Sequence, residues 1–341
     1  MSTKLHDLAA HTGVSTATVS RVLNGRPGVS EATRDRVIAA LDTLGYERPY
    51  KLRGRSLGLV GLVIPELDNP IFPTFAQIIC GALSRTGYTP LLCPKEASGI
   101  SEDSYVEMLL DNRVSGIIFV AGHHADLTAD KLRYQRLVSA DLPVVFVNGY
   151  TDQVDAHFIS DDDAVAMELV VRHLAALGHQ RLGFASGPQR FIPMRRRADR
   201  FGQLLASRFG QTDPESSIRV SLLSVEGGQA AAGDLIDAGH TAIVCASDAM
   251  ALGAVRAAQS RGLAVPADIS VVGHDDSPLM AYVNPALTTV RQSVLAMSQA
   301  AVSILIAAVN GSAPPRGEML FRPELIVRDS TGIVAPARPA V

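Results

Sequence analysis

Thr16, Ala17, Ser20 and Arg21 fall on one side of the segment STATVSRVLN (residues 15–24), and Val19, Val22 and Leu23 fall on the other. A short helix divided in this way buries its branched residues and presents a small, polar and basic face. Such a face suits the major groove of DNA. Small side chains admit the backbone, and one guanidinium can donate two hydrogen bonds to a guanine edge. Ser15 stands where a helix N-cap is needed, and Asn24-Gly25 ends the run. Ahead of it, Leu5, Leu8 and Ala9 recur at helical spacing until His11-Thr12-Gly13 breaks the pattern. Gly13 can take the left-handed conformation of a sharp turn. The stretch reads as helix, tight turn, helix.

A second set of polar residues stands just beyond apolar runs, where the strands of an α/β fold would end: Asp68-Asn69, Asn148, Asp161-Asp162-Asp163, Asp248 and His274-Asp275-Asp276, with Phe72 and Phe146 close by. Carboxylates and amides converging on a cleft beside an aromatic wall suit a hydroxyl-rich ligand such as a sugar. Strand-to-helix turns also place such residues as helix caps, and some are expected to do only that, Asp162 and Asp163 first. No G-x-G-x-x-G follows a strand, and the P-loop, H-E-x-x-H and G-x-S-x-G patterns are missing. His123-His124 has no partners at metal spacing and reads as a solvated loop. Arg195-Arg196-Arg197 reads as a mostly solvated helix start, one member of which can turn into the cleft. Neither a catalytic site, a cofactor nor a metal is expected.

The chain that must position these groups has 341 residues, 47% of them apolar, enough for more than one domain. Its net charge of −3 is unevenly spread. Residues 1–57 hold nine basic and five acidic side chains, a balance of +4, which leaves −7 for the remainder. A basic head on an acidic body fits a head that meets phosphates. No apolar leader opens the sequence and no run is long enough to span a bilayer, so a cytoplasmic location is expected. Cys80, Cys93 and Cys245 are scattered through apolar segments and read as reduced core thiols.

Ser30 can cap a third helix, with Glu31 at its positive end and Val37, Ile38, Leu41 and Leu44 as its buried stripe. Pro49 and the basic residues of ERPYKLRGRSL (47–57) mark a linker that can order against phosphates. From Leu59 the text alternates between β-branched strands and amphipathic helices as far as Gly273, which predicts two parallel sheets flanked by helices and one ligand site between two lobes. The expected divisions are a head (1–47), a linker (48–58), a two-lobed body (59–331) and a tail (332–341).

These residues carry a resemblance. VSTATVSRVLNGRPGVSEATRDRVIAALDTLGY resembles the head of LacI-type (LacI/GalR) transcriptional regulators. GLVIPELDNPIF, PVVFVNG, TAIVCASDAMALGAVRAAQSRGLAVPADISVVGHDD and LIVRDS follow in family order, so the match covers nearly the whole chain. It implies a homodimer with a three-helix, helix-turn-helix head and a periplasmic-binding-protein-like body that senses a small molecule. By position, it implies base reading by Thr16, Ala17 and Arg21. It implies phosphate contact or positioning by Ser15, Thr18, Ser20, Asn24, Val29, Ser30 and Thr33. Phe72, Asn148, Arg197, Asp248 and Asp275 are implied as effector contacts, with Ile71 and Gln292 beside them. Arg200 stands where the family usually has Gly, and His274 where it has Phe or Tyr.

The linker departs from the family's Y-x-P-N-x-x-A-R-x-L. One extra residue precedes Pro49, Tyr50 replaces Asn, and the run into the first strand is short. Leu52 and Leu57 are the candidates for the leucine that such hinges wedge into the minor groove, with Arg53 and Arg55 alongside, though Gly54 weakens a helix there. The reading is a repressor, cytoplasmic and dimeric, that binds a near-palindromic double-stranded operator under the control of a small carbohydrate. A purine or nucleoside effector is the alternative ligand, disfavoured by 5% aromatics and no Trp. A sugar-binding protein without a regulatory role is the alternative class, disfavoured by the basic head.

Overall fold

The structure is a computed structural model that describes residues 2–46, 56–95 and 99–334. It divides into two units, Met1–Gly58 with Thr86–Thr89, and Leu59–Arg85 with Pro90–Val341. The first unit holds helices α1 (Ser2–Thr12), α2 (Thr16–Leu23) and α3 (Glu31–Thr43). Ser15 Oγ accepts from the Thr18 N–H at 3.1 Å and Ser30 Oγ from the Thr33 N–H at 3.3 Å, so each cap satisfies a donor that its helix start leaves unpaired. Gly13 takes φ +69° in the turn. Leu8, Val19, Val22, Val37, Ala40 and Leu41 form the core of this unit. Leu44, expected on the buried stripe, is 37% exposed, because α3 ends at Thr43 and Leu44 is its C-cap. The Tyr46 hydroxyl donates to Asp7 Oδ2 at 2.6 Å and ties the end of α3 back to α1.

The second unit begins with β1 (Leu59–Ile64), α4 (Ile71–Arg85), β2 (Thr89–Pro94), α5 (Glu102–Asp111), β3 (Gly116–Val120), α6 (Leu132–Ser139), β4 (Val144–Val147) and β5 (His157–Asp161). It continues with α7 (Asp163–Ala176), β6 (Leu182–Ser186), α8 (Ile192–Phe209), β7 (Ile218–Val220), α9 (Val225–Asp237), β8 (Ala242–Cys245), α10 (Asp248–Ser260) and β9 (Ser270–Asp275). Then follow β10 (Thr288–Arg291), α11 (Val294–Val309), β11 (Gly317–Phe321) and β12 (Glu324–Ile326). The strands make two six-stranded sheets, ordered β11-β5-β4-β3-β1-β2 and β12-β10-β9-β8-β6-β7. Each sheet is the centre of a lobe. The pairings are parallel except that β12 runs antiparallel to β10. The chain passes between lobes after β5, after β10 and after β11.

The alternation of strand and helix is as expected, but the closing segments are not legible in it. β10 and β12 are only four and three residues long, and α11 (VLAMSQAAVSILIAAV) is apolar on most of its circumference. Such a helix has no polar face to betray its period. It packs between α4 and the first sheet. α9 begins at Val225, and its first turn includes Gly227 and Gly228. Those glycines look like breakers, yet they admit another backbone. A methyl group on Gly228 would sit 2.2 Å from the Met250 carbonyl oxygen, and one on Gly253 would sit 2.0 Å from that of Val225. α9 and α10 therefore cross in backbone contact, and residues of both helices join the apolar core of the second lobe.

Gly253→Ala should accordingly destabilise the protein by about 1–3 kcal/mol or more, because backbone rather than a flexible side chain must yield. Chemical denaturation of the two proteins checks this, and an unchanged midpoint would show that the crossing is looser than described.

Candidate functional site

On the head, Ala17 and Arg21 are exposed along α2, with Thr16 and Ser20 half-buried beside them. Among the described residues, the Arg21 guanidinium makes no ion pair or hydrogen bond. The groups expected to position phosphates cluster at helix ends. Ser15 and Thr18 share a hydroxyl contact of 2.9 Å at the start of α2, and Ser30 Oγ donates to Thr33 Oγ1 at 2.9 Å at the start of α3. Asn24 Nδ2 donates to the Ser20 carbonyl at 2.8 Å, and Val29 packs partly against the core. Helix starts of this kind favour anions through their free N–H groups and the helix dipole. Leu57 is 70% exposed, and its N–H donates to the Gly87 carbonyl at 2.9 Å. Leu52, Arg53 and Arg55 lie outside the described residues.

Between the lobes of the second unit lies a cavity of about 220 Å³. Ile71, Phe72 and Asn69 line it from α4 and the loop before it, Asn148 from the end of β4, Arg197 from α8, Asp275 from the end of β9, and Gln292 from the crossover after β10. The strand ends are bent into position. Ala121 (φ +45°), Asn148 (φ +63°) and Asp275 (φ +116°) follow or end β3, β4 and β9, and all three line the cavity. Left-handed backbone at non-glycine residues costs about 1–3 kcal/mol each and persists where packing over-determines it.

Arg197 is 5% exposed. Its Nε donates to Asp163 Oδ1 at 2.6 Å and its Nη1 to the Ala246 carbonyl at 3.2 Å. Asp275 Oδ1 accepts from Gln292 Nε2 at 2.7 Å, and its Oδ2 lies 3.5 Å from Asn69 Nδ2, which belongs to the opposite lobe. Burial, reinforced by the charge of Asp248, pushes the Asp275 carboxyl up to about 8, against the pull of Arg197. Burial also lifts Asp161 to about 7. The Arg197 guanidinium, two side-chain amides and a carboxyl thus line one small space, a set of groups suited to paired hydroxyls.

Several expectations are corrected. Asp248 does not line the cavity: its Oδ1 accepts from the Thr289 hydroxyl at 2.6 Å and its Oδ2 from the Ser277 N–H at 2.7 Å, so it holds the turn after Asp275 from behind. Phe146 points into the first lobe's core, stacked on Phe119 and Phe158, because it lies within β4, short of the strand end that reaches the cavity. The apolar walls are instead Phe72 together with Phe191, Met194, Pro193 and Leu223. These four carry no signal at strand ends, because they sit in a helix start and a loop. Asp162 caps α7, but Asp163 is the partner of Arg197 and no cap.

Asp68 is exposed and off the cavity wall, and Asp276 is taken by Arg291 and Arg328. His124 is fully buried rather than solvated, and His123 is half-buried with its Nε2 2.7 Å from Lys95 Nζ. Beneath that turn the buried Glu102 carboxylate accepts from the His123 N–H, Tyr134 and Arg133. Of the three arginines only Arg195 is exposed. α8 begins at Ile192, ahead of the arginine run expected to start it, with Pro193 in its first turn. His274 is buried, and its burial, reinforced by the charge of Arg197, keeps its imidazole neutral.

The lobes also touch at the mouth of the cavity. Asp126 and Phe191 form an antiparallel bridge, the Leu127 N–H donates to the Arg190 carbonyl at 2.8 Å, and Arg190 Nε lies 3.5 Å from Asp126 Oδ2. The Arg190 guanidinium also lies 4.9 Å from the Phe191 ring centroid.

Residues 4–49 match the family model "Bacterial regulatory proteins, lacI family", and residues 171–331 match "Periplasmic binding protein-like domain". The chain is 56% identical over 335 residues to the HTH-type transcriptional regulator reg1 of Streptomyces lividans, with 97% of each chain covered. It is 55% identical over 334 residues to the HTH-type transcriptional regulator MalR of Streptomyces coelicolor, again with 97% of each covered. Among solved structures, the transcriptional regulator CelR–cellobiose complex is similar at 28% identity and TM-score 0.72, covering 96% of this chain and 99% of that one. The Lac repressor dimer bound to operator and the anti-inducer ONPF is similar at 30% identity and TM-score 0.70, covering 96% and 98%.

The charge state of Asp275 gives a stability test. Its carboxyl ionises near 4 in an unfolded chain and at about 8 when folded, so ionisation opposes folding. The stabilisation present below about pH 4 is lost as the pH rises toward about 8. Asp275→Asn cannot ionise, so its stability relative to the parent should improve between those pH values. Denaturant titrations at both ends measure the difference, and a difference that stays constant with pH would refute the assignment.

Proposed function

This chain belongs to the lacI family of bacterial regulatory proteins, DNA-binding transcriptional regulators, and we propose that it is a repressor whose grip on its operator is set by a small carbohydrate held between the two lobes. The observation that carries the ligand class is the facing of Arg197, Asp275, Asn69 and Gln292 across one small cavity with Phe72 and Phe191 as its apolar walls. Sugars present paired hydroxyls to such polar groups and an apolar ring face to aromatics. The solved relative in complex with cellobiose is in keeping with that class.

On this reading two copies of the chain form a cytoplasmic homodimer. Each inserts α2 into the major groove of one half-site of a near-palindrome. Thr16, Ala17 and Arg21 read bases, and Ser15, Thr18, Ser20, Asn24, Val29, Ser30 and Thr33 set the helix against the phosphates. The lac repressor, solved as a dimer on its operator, supports that arrangement. Sugar in the cleft favours one lobe angle over another. A hundredfold preference for one state shifts the equilibrium by about 2.7 kcal/mol. Ile71, Phe72, Asn148, Arg197, Asp275 and Gln292 make the ligand contacts, and Asp248 positions the turn after Asp275. The relatives are regulators rather than enzymes, so the ligand leaves as it arrived.

A thermal-shift screen of mono- and oligosaccharides, repeated with selected operator DNA, tests the whole reading. Stabilisation by no sugar in either condition would remove the carbohydrate from it. Arg21→Ala should cost about 1–3 kcal/mol of operator binding and relax base choice at one position of each half-site. Binding-site selection reads this directly, and an unaltered base preference would reject the role. Asp275→Ala should abolish the response of operator binding to the active sugar in a gel-shift titration, where a normal response would count against the cleft.

A further inference from the structure

Consecutive arginines on α8 point to different lobes. Arg197 faces the cavity and anchors on Asp163 at the start of α7, all within the second lobe. Arg196 reaches the other way. Its Nη1 and Nη2 donate to Glu318 Oε1 at 2.7 Å and Oε2 at 3.0 Å. Glu318 lies on β11, the edge strand of the first lobe's sheet, opposite Phe158 of β5. The pair therefore crosses from one lobe to the other with both hydrogen bonds of a planar fork.

It does so beside the crossovers. Three residues beyond Glu318, the Phe321 carbonyl accepts from the Asp162 N–H at 2.8 Å, and the next carbonyl, of Arg322, accepts from Ser293 Oγ at 2.9 Å. All three inter-lobe passages are thus laced together near the point where Arg196 lands. A two-bond fork holds direction as well as distance, so it tolerates little rotation. Any displacement of α8 by a ligand drawing on Arg197 is carried by the same helical turn to Arg196.

We propose that Arg196 and Glu318 form a brace that fixes the angle between the lobes, and that ligand bound at Arg197 acts on the lobe angle through it. The brace is a pair of positioning residues and touches no ligand. The inference rests on the reading that lobe angle governs operator affinity. One readout is free of that reading: the Leu127 N–H is hydrogen-bonded across the cavity mouth to the Arg190 carbonyl, so its exchange with solvent reports how often the lobes part.

The experiment uses the full chain without sugar, as Arg196→Glu, Glu318→Arg and the double exchange. Hydrogen-exchange mass spectrometry of a peptide spanning residues 124–130 should show the Leu127 amide exchanging at least tenfold faster in each single variant and near the parent rate in the double. Amides of β6 and β8, deep in the second lobe, should keep their rates. Operator affinity should move at least fivefold in the same direction in both singles and return within twofold in the double. Unchanged exchange at Leu127, acceleration spread through the whole lobe, or singles not rescued by the double would each overturn the brace.

Exchange that responds while operator affinity does not would overturn its coupling to DNA. A parent protein that prefers no DNA sequence, with exchange responding as expected, would instead remove the regulatory reading and leave the brace standing. Arg196→Gln and Glu318→Gln serve where charge reversal prevents folding. Each should accelerate Leu127 equally, and combining them should add nothing.

Discussion

A guanidinium withdrawn from water must be paired, and in this protein that requirement falls on Arg197. Isolated in the interior it would be prohibitive. Joined to Asp163 at 2.6 Å and to a backbone carbonyl it is tolerable, though replacing such a pair by apolar residues is often neutral or better for stability. What the pair supplies is placement. It locks the start of α7 to the second turn of α8 and holds Arg197 in the cavity wall. Asp275, Gln292 and Asn69 line the same cavity. The surplus of carboxyl groups nearby is held in check by burial, which keeps the Asp161 and Asp275 protons on to about 7 and about 8.

The sequence disclosed most where local rules suffice. Two serines ahead of helical runs and a glycine in the turn specify the head, and both serines cap as their spacing requires. Runs of β-branched residues between helices specify a two-lobed α/β body, and Ile71, Phe72, Asn148, Arg197, Asp275 and Gln292 do reach one cavity. Position along a strand was the weaker guide. Phe146 and Asn148 are two residues apart, yet one is core and the other cavity wall, because the chain turns left-handed at Asn148 and leaves the pleat.

The same limit explains Asp248 and Asp163. Their residue type and place after a strand suit a ligand contact or a cap, and only the three-dimensional neighbours assign them to Thr289, Ser277 and Arg197. Phe191 and Leu223 carried no periodic signal. Gly228 and Gly253 carried a misleading one: glycines disfavoured in isolated helices are required where two helices cross at backbone distance. His124 misleads for a related reason. It follows Gly122-His123 in what looks like a polar loop, but its ring packs 4.8 Å from Phe146.

The cavity is made of two kinds of wall, and they differ in how freely they can be rewritten. Ala121, Asn148 and Asp275 occupy backbone conformations that few side chains accept, so most replacements there would disturb the sheet ends before they altered any contact. Phe72, Phe191, Met194 and Leu223 sit on helix starts and a loop in ordinary conformations. A lineage exploring new nutrients, or an engineer building a biosensor, would find the second group open to change while the first stayed fixed. On the function proposed above, chemical taste could then drift from one small molecule to another while the strand ends that frame the cavity kept their form.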